Sequence, residues 1–108
     1  MDQEMISRLN SISEKEKRRI VLDQAKLHNW TIYFGSLKKK QKDGKNFHIL
    51  TDNGILLQRT EYKDYQGRTK IEWSMVKKDT NERITGDYGT VISHFTEEYN
   101  KTHEVICL

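Results

Sequence analysis

The side chains of this sequence best suited to metal binding or nucleophilic catalysis are His94, Glu98, His103 and Cys107. His94 and Glu98 stand four residues apart, a spacing that puts two potential metal ligands on one face of a helix. No second His or Cys pair completes such a site, and Cys107 has no histidine or asparagine in a family-like context to activate it. The segment GDYG (residues 86–89) precedes a helical pattern whose N-terminus could hold phosphate, but it lacks the lysine and the glycine spacing of a phosphate-binding loop. A turn and helix cap is the simpler reading. The expectation is a non-enzymatic protein with no catalytic residue, metal or cofactor. A small nuclease or toxin working through His48, His94 or His103 is the enzymatic alternative.

Binding chemistry is better represented. In LKKKQKDGKNF (residues 37–47), Lys38, Lys39, Lys40, Lys42 and Lys45 surround Asp43-Gly44. Such crowding repels itself and disfavours a hairpin, so it does not serve stability. Lysines can keep a protruding edge from pairing with other chains, but five in eight residues exceed that need. The sharper reading is a basic ribbon that contacts phosphate, or an acidic protein surface. A second group, Arg59, Tyr62, Lys63, Tyr65 and Arg68, interleaves aromatics with cations. Aromatics can stack on bases while cations hold phosphates; tyrosine with arginine is also the composition of a protein–protein hot spot.

The balance of charge agrees. The chain nets only +3, yet it is +7 up to Lys78 and −4 beyond it, a basic body with an acidic end. With 108 residues it suits one domain with one modest core. Hydrophobic content is 34% against 32% charged, lean but too rich in aromatics for a disordered chain. A lone cysteine excludes an internal disulfide, and the N-terminus shows no apolar run, so a soluble cytoplasmic protein is expected. Proline is absent and Ala25 is the one alanine, while Lys, Ile, Asn and Tyr are plentiful, the bias of AT-rich coding DNA.

These groups need elements to position them. Ser13 and Glu16 form a capping-box pair at the head of a helix over about 14–28, whose face carries Ile20, Val21, Gln24, Ala25 and His28. A short helix with Met5, Leu9 and Ile12 precedes it. From Trp30 the period becomes two. Asp43-Gly44, Asn53-Gly54 and Gln66-Gly67 then read as two-residue hairpin turns, dividing an antiparallel meander into strands near 30–42, 45–52, 55–64 and 68–78. That spacing sets Lys42 across from Lys45, Thr60 opposite Trp73 and Tyr62 opposite Ile71. After a polar loop, Asp87 or Thr90 caps a last helix to about Lys101, and the tail EVICL can add an edge strand. The predicted architecture is α+β: helices on one face of a four-stranded, or with the tail five-stranded, antiparallel meander. Its core is expected at Ile20, Ile32, Phe34, Ile71, Trp73, Ile92 and Phe95.

The order of helix, meander and helix resembles the double-stranded-RNA-binding domain, whose last helix grips phosphates with lysines. Here that helix begins GDYGTVISHF and continues with Glu97 and Glu98, so no family is assigned. The functional expectation is a basic binding protein that engages an RNA- or DNA-handling nucleoprotein complex. Its sharpest form is a mobile-element inhibitor of host defence, of the anti-CRISPR sort. The alternative is a protein–protein adaptor or immunity-type protein. No membrane partner is expected.

Overall fold

In the computed structural model, residues 3–37 and 44–101 are described. Helices α1 (Gln3–Asn10) and α2 (Glu14–Leu27) lead into strands β1 (Thr31–Leu37), β2 (Gly44–Leu50), β3 (Ile55–Lys63), β4 (Thr69–Lys77) and β5 (Glu82–Gly86), and α3 (Tyr88–Asn100) follows. The strands form one five-stranded antiparallel sheet in chain order, β1-β2-β3-β4-β5. The fold is therefore α+β, as the sequence predicts.

Local chemistry sets the helix ends. Ser13 is extended, and its Oγ accepts from the Glu16 N–H at 3.2 Å, while Glu14 and Glu16 in the first turn complement the helix dipole. At the other end Asn29 adopts φ 57°, the left-handed conformation asparagine tolerates. The Trp30 N–H then donates to the Ala25 carbonyl at 2.9 Å and the Asn29 N–H to that of Lys26 at 3.3 Å, a Schellman stop that turns the chain straight into β1. Asp87 caps α3 by accepting from the Thr90 N–H at 2.8 Å, so GDYG runs from the last residue of β5 through the cap into the first turn of α3.

The turns differ from expectation, and the differences carry through the sheet. Asn53-Gly54 and Gln66-Gly67 each close a three-residue loop, with glycine last at φ 83° and 79°. A three-residue loop ending in a left-handed glycine is the next hairpin solution after the two-residue one. Each moves the register by one residue, so Arg59 faces Trp73 and Glu61 faces Ile71, while Thr60 faces Glu72 and Tyr62 faces Lys70. A shift of one exchanges the two faces of a strand. Asp43-Gly44 is not the tip of a tight hairpin: Gly44 stands in β2 opposite Leu37, and Lys45 opposite Ser36. β1 is described from Thr31 to Leu37, and the rest of the expected strand, 38–42, lies outside the described residues. The fifth strand is ERITG, inside the segment read as a polar loop; the EVICL tail lies outside the described residues.

Phe47 and Ile49 of β2, Ile55 and Leu57 of β3, and Trp73 and Met75 of β4 form the core with Val21, Ala25, Trp30, Tyr88, Val91, Ile92, Phe95 and Tyr99. Its centre is a chain of edge-to-face aromatics: Phe47 against Trp73 at 6.0 Å, Trp73 against Tyr88 at 5.0 Å, and Trp30 against Phe95 at 5.6 Å. Trp73, Ile92 and Phe95 are buried as expected, and Ile32 and Ile71 pack partly buried against the cluster. Two expectations fail. Ile20 is only half-buried, because the inner stripe of α2 runs Lys17, Val21, Ala25. Phe34 is 74% exposed, because β1 is an edge strand and gives it a neighbour, Phe47, on one side only. Helix α1 rests on α3 where Gly89 has no side chain; the Gly89 N–H donates to Asn10 Oδ1 at 2.7 Å.

Candidate binding surface

The register places the connection from Leu37 to Gly44 and the β3–β4 turn at the same end of the sheet. The strand ends that flank the lysine run therefore lie at the same end of the sheet as the turn that carries Tyr65. Lys38, Lys39, Lys40 and Lys42 lie outside the described residues, but they are the chain that joins Leu37 to Gly44 there. Lys45 stands in β2, backbone-paired on both sides with Ser36 and Glu61. Tyr65 occupies the β3–β4 turn and is 94% exposed, with Lys63 and Arg68 exposed beside it. The turn is held by Asp64, whose carboxylate accepts from the backbone N–H groups of Gln66 and Arg68, each at 2.9 Å, and pairs with the Arg68 guanidinium at 3.4 Å. Those bonds, the Arg68 N–H foremost, hold the Asp64 carboxyl below its ordinary range. Tyr65 is thus carried on a turn hydrogen-bonded through Asp64, with its ring in solvent.

Tyr62 is half-buried on the face of the sheet away from the helices, opposite Lys70. Sequence reasoning did not single out the rest of that face. Its central row is Tyr33, His48, Gln58, Ser74 and Thr85. Tyr33 is 55% exposed. Arg83 lies across Ser74, donating from Nη1 to Oγ at 3.2 Å. Burial, and then the nearby positive charge of Arg83, lower the His48 pKa from its ordinary value and so favour the neutral ring. Its Nε2 has no hydrogen-bond partner among the described residues. The missed signal was the register: once the turns are three residues long, Lys70, Gln58 and His48 fall on the open face with Tyr62.

Arg59 does not join this surface. Its side chain is 5% exposed, on the helix-facing side, and Nη2 bonds to Glu14 at 3.2 Å and Glu61 at 3.0 Å. Lys17, with its side chain 10% exposed, reaches the other oxygen of Glu14 at 3.0 Å. Arg59 also lies over the Trp73 ring at 5.8 Å, and Lys17 over that of Tyr88 at 5.4 Å. Burial, and then the Glu14 charge, push the Tyr88 hydroxyl up to about 12. Two cations and two carboxylates compensate each other here, so the cluster clamps the N-terminus of α2 to β3 and offers no free charge to a partner.

The opposite end of the sheet has another character. Tyr99 meets Trp30 at 5.1 Å and His28 at 5.9 Å, so the C-terminal ends of α2 and α3 converge where β1 begins. Glu98 bridges Lys77 at 3.5 Å and Lys101 at 2.8 Å; these cations, Lys101 first, hold its carboxyl below the ordinary range. Glu98 is therefore engaged, and His94 stands exposed near it on α3. Among the described residues no group of three or more His, Cys, Asp or Glu could hold a metal. His103 and Cys107 lie outside the described residues. No described helix is long and apolar enough to cross a membrane. No family model, curated protein or solved structure matches this chain.

Proposed function

We propose that this chain is a non-enzymatic binding protein that engages an RNA- or DNA-handling nucleoprotein complex through the basic end of its sheet. One observation carries the reading: the lysine-bearing connection from Leu37 to Gly44 and the turn that presents Tyr65, Lys63 and Arg68 leave the sheet at the same end. Cations spaced along two adjacent connections can follow a phosphate backbone, and an aromatic ring held out between them can take a base by stacking, worth about 1–3 kcal/mol per base. Tyr62 and Lys70 extend this surface onto the open face of the sheet. With Arg59 withdrawn into a compensated cluster, Lys63, Arg68 and Lys70 are exposed cations of the surface, and Lys45 stands in β2 at the same end. In its sharpest form the protein is an inhibitor of a nucleic-acid-guided host defence carried by a mobile element, a reading that rests on composition and charge polarity. Direct titration with short single-stranded RNA and DNA at low salt tests the contact. Binding of either that is lost in Lys38→Glu/Lys40→Glu/Lys42→Glu supports it; no binding of either removes direct nucleic-acid contact and leaves an acidic protein surface as the target.

A further inference from the structure

The two edges of the sheet are unlike. At one edge β5 is five residues long and carries Glu82 and Arg83, the kind of short, charged strand that discourages further pairing. At the other, β1 is TIYFGSL: seven residues with no charge and no proline. It pairs with β2 without interruption from Thr31↔Leu50 to Leu37↔Gly44, so no bulge twists it away. Tyr33 and Phe34, on opposite faces of this strand, are 55% and 74% exposed. Among the described residues no strand lies beyond β1, and a long uncharged edge of this kind is a template for another strand.

We infer that the occupant of this edge is the β1 strand of a second copy of the chain, running antiparallel and extending the sheet through a two-fold axis. Full overlap of the two strands defines the register. Phe34 is the midpoint of Thr31–Leu37, and only with the axis at Phe34 do all seven residues of each strand pair. Phe34 then meets its own copy across the axis, on the face where the helices leave it exposed. Tyr33 falls opposite Gly35 of the second copy, where a cross-strand aromatic covers the backbone that glycine leaves bare. The same residues serve on both sides, as a two-fold interface demands.

Charge favours this orientation. Lysines 38, 39, 40 and 42 follow Leu37 directly in the chain. In the antiparallel pair the two runs leave opposite ends of a seven-residue strand, roughly 23 Å apart at about 3.3 Å per residue. That is well beyond the screening length of about 8 Å at physiological salt, so the runs do not oppose each other.

Sedimentation equilibrium of the full chain over a concentration series tests the pairing. The wild type is expected at twice the monomer mass. Phe34→Lys, at a position already 74% exposed, should be a monomer with an unchanged circular dichroism spectrum. The register has its own test in a Cys107→Ser background. Directly opposed residues of antiparallel strands have Cα atoms about 4.5–5.5 Å apart, within reach of a disulfide. Phe34→Cys should therefore oxidise to a covalent dimer, while Tyr65→Cys, fully exposed at the far turn, should not. A monomeric wild type overturns the inference, as does a Phe34→Lys variant that remains dimeric. Equal cross-linking at positions 34 and 65 overturns the register.

Discussion

Arg59 separates two accounts of the same residue. Read from sequence it belongs with Tyr62 and Arg68 on a binding surface; in the fold it is buried against Glu14, Glu61 and Trp73. Arg59→Met keeps an apolar stem of similar length and removes the charge. Removing one partner of a fully buried ion pair costs about 3–5 kcal/mol, because the other is left uncompensated. Here the carboxylates of Glu14 and Glu61 keep 34% and 35% of their side-chain surface, and Glu14 retains Lys17, so part of the loss is recovered by water. The lower end, about 3 kcal/mol, is expected. With an unfolding entropy of about 2.1 cal/mol/K per residue over 108 residues, this lowers Tm by about 13 °C. Urea denaturation followed by circular dichroism gives the free energy, and a thermal scan the shift. A cost under about 1 kcal/mol, that of an exposed ion pair, would refute the burial argument and return Arg59 to the surface.

Two substitutions test how the helices are placed. Gly89→Ala would favour α3 by about 1 kcal/mol on helix propensity alone. Its new Cβ, however, would meet the Ile6 carbonyl and Asn10, so α1 must move and a net loss of about 1–3 kcal/mol is expected; a more stable variant in urea would show that α1 does not pack there. Asp87→Ala removes the cap of α3 and should cost about 1 kcal/mol at neutral pH. Hydrogen bonds from Thr90 hold the Asp87 carboxyl below its ordinary 3.8, so this contribution is present above that value and lost as pH falls through the lower folded value. The gap between wild type and variant should close on acidification; a gap independent of pH would mean the carboxylate does not carry the cap.

Fold class and element order were legible because the strongest local signals agreed with the tertiary structure. Ser13 caps the helix it was expected to cap, Asp87 proves to be the cap of α3 of the two candidates Asp87 and Thr90, and the switch to period two at Trp30 marks β1 within a residue. Register was not legible. Asn-Gly and Gln-Gly fit a two-residue turn or the last positions of a three-residue one equally well, and the choice depends on which face the core buries. Phe95 and Trp73 announce that face, whereas Arg59 and Lys17 occupy it against the polarity rule because carboxylates reach them from Glu14 and Glu61. β5 was hidden for a related reason: an edge strand rich in charge looks like a loop until its partner, β4, is known. Of the candidate site, the cations and tyrosines were visible by type, and their meeting at one end needed the sheet.

The central claim is that the basic end holds phosphate, and its most direct test is the salt dependence of binding. Fluorescence anisotropy of a short labelled single-stranded RNA, titrated with the wild-type chain across a series of salt concentrations, gives the slope of log K against log[salt]. Each phosphate neutralised on a single strand contributes about −0.7, so three to five engaged lysines predict a slope of about −2 to −3.5. The charge-reversed variant at Lys38, Lys40 and Lys42 should bind too weakly to measure while keeping the wild-type circular dichroism spectrum. No association of the wild type at low salt, or a slope near zero, would contradict the account.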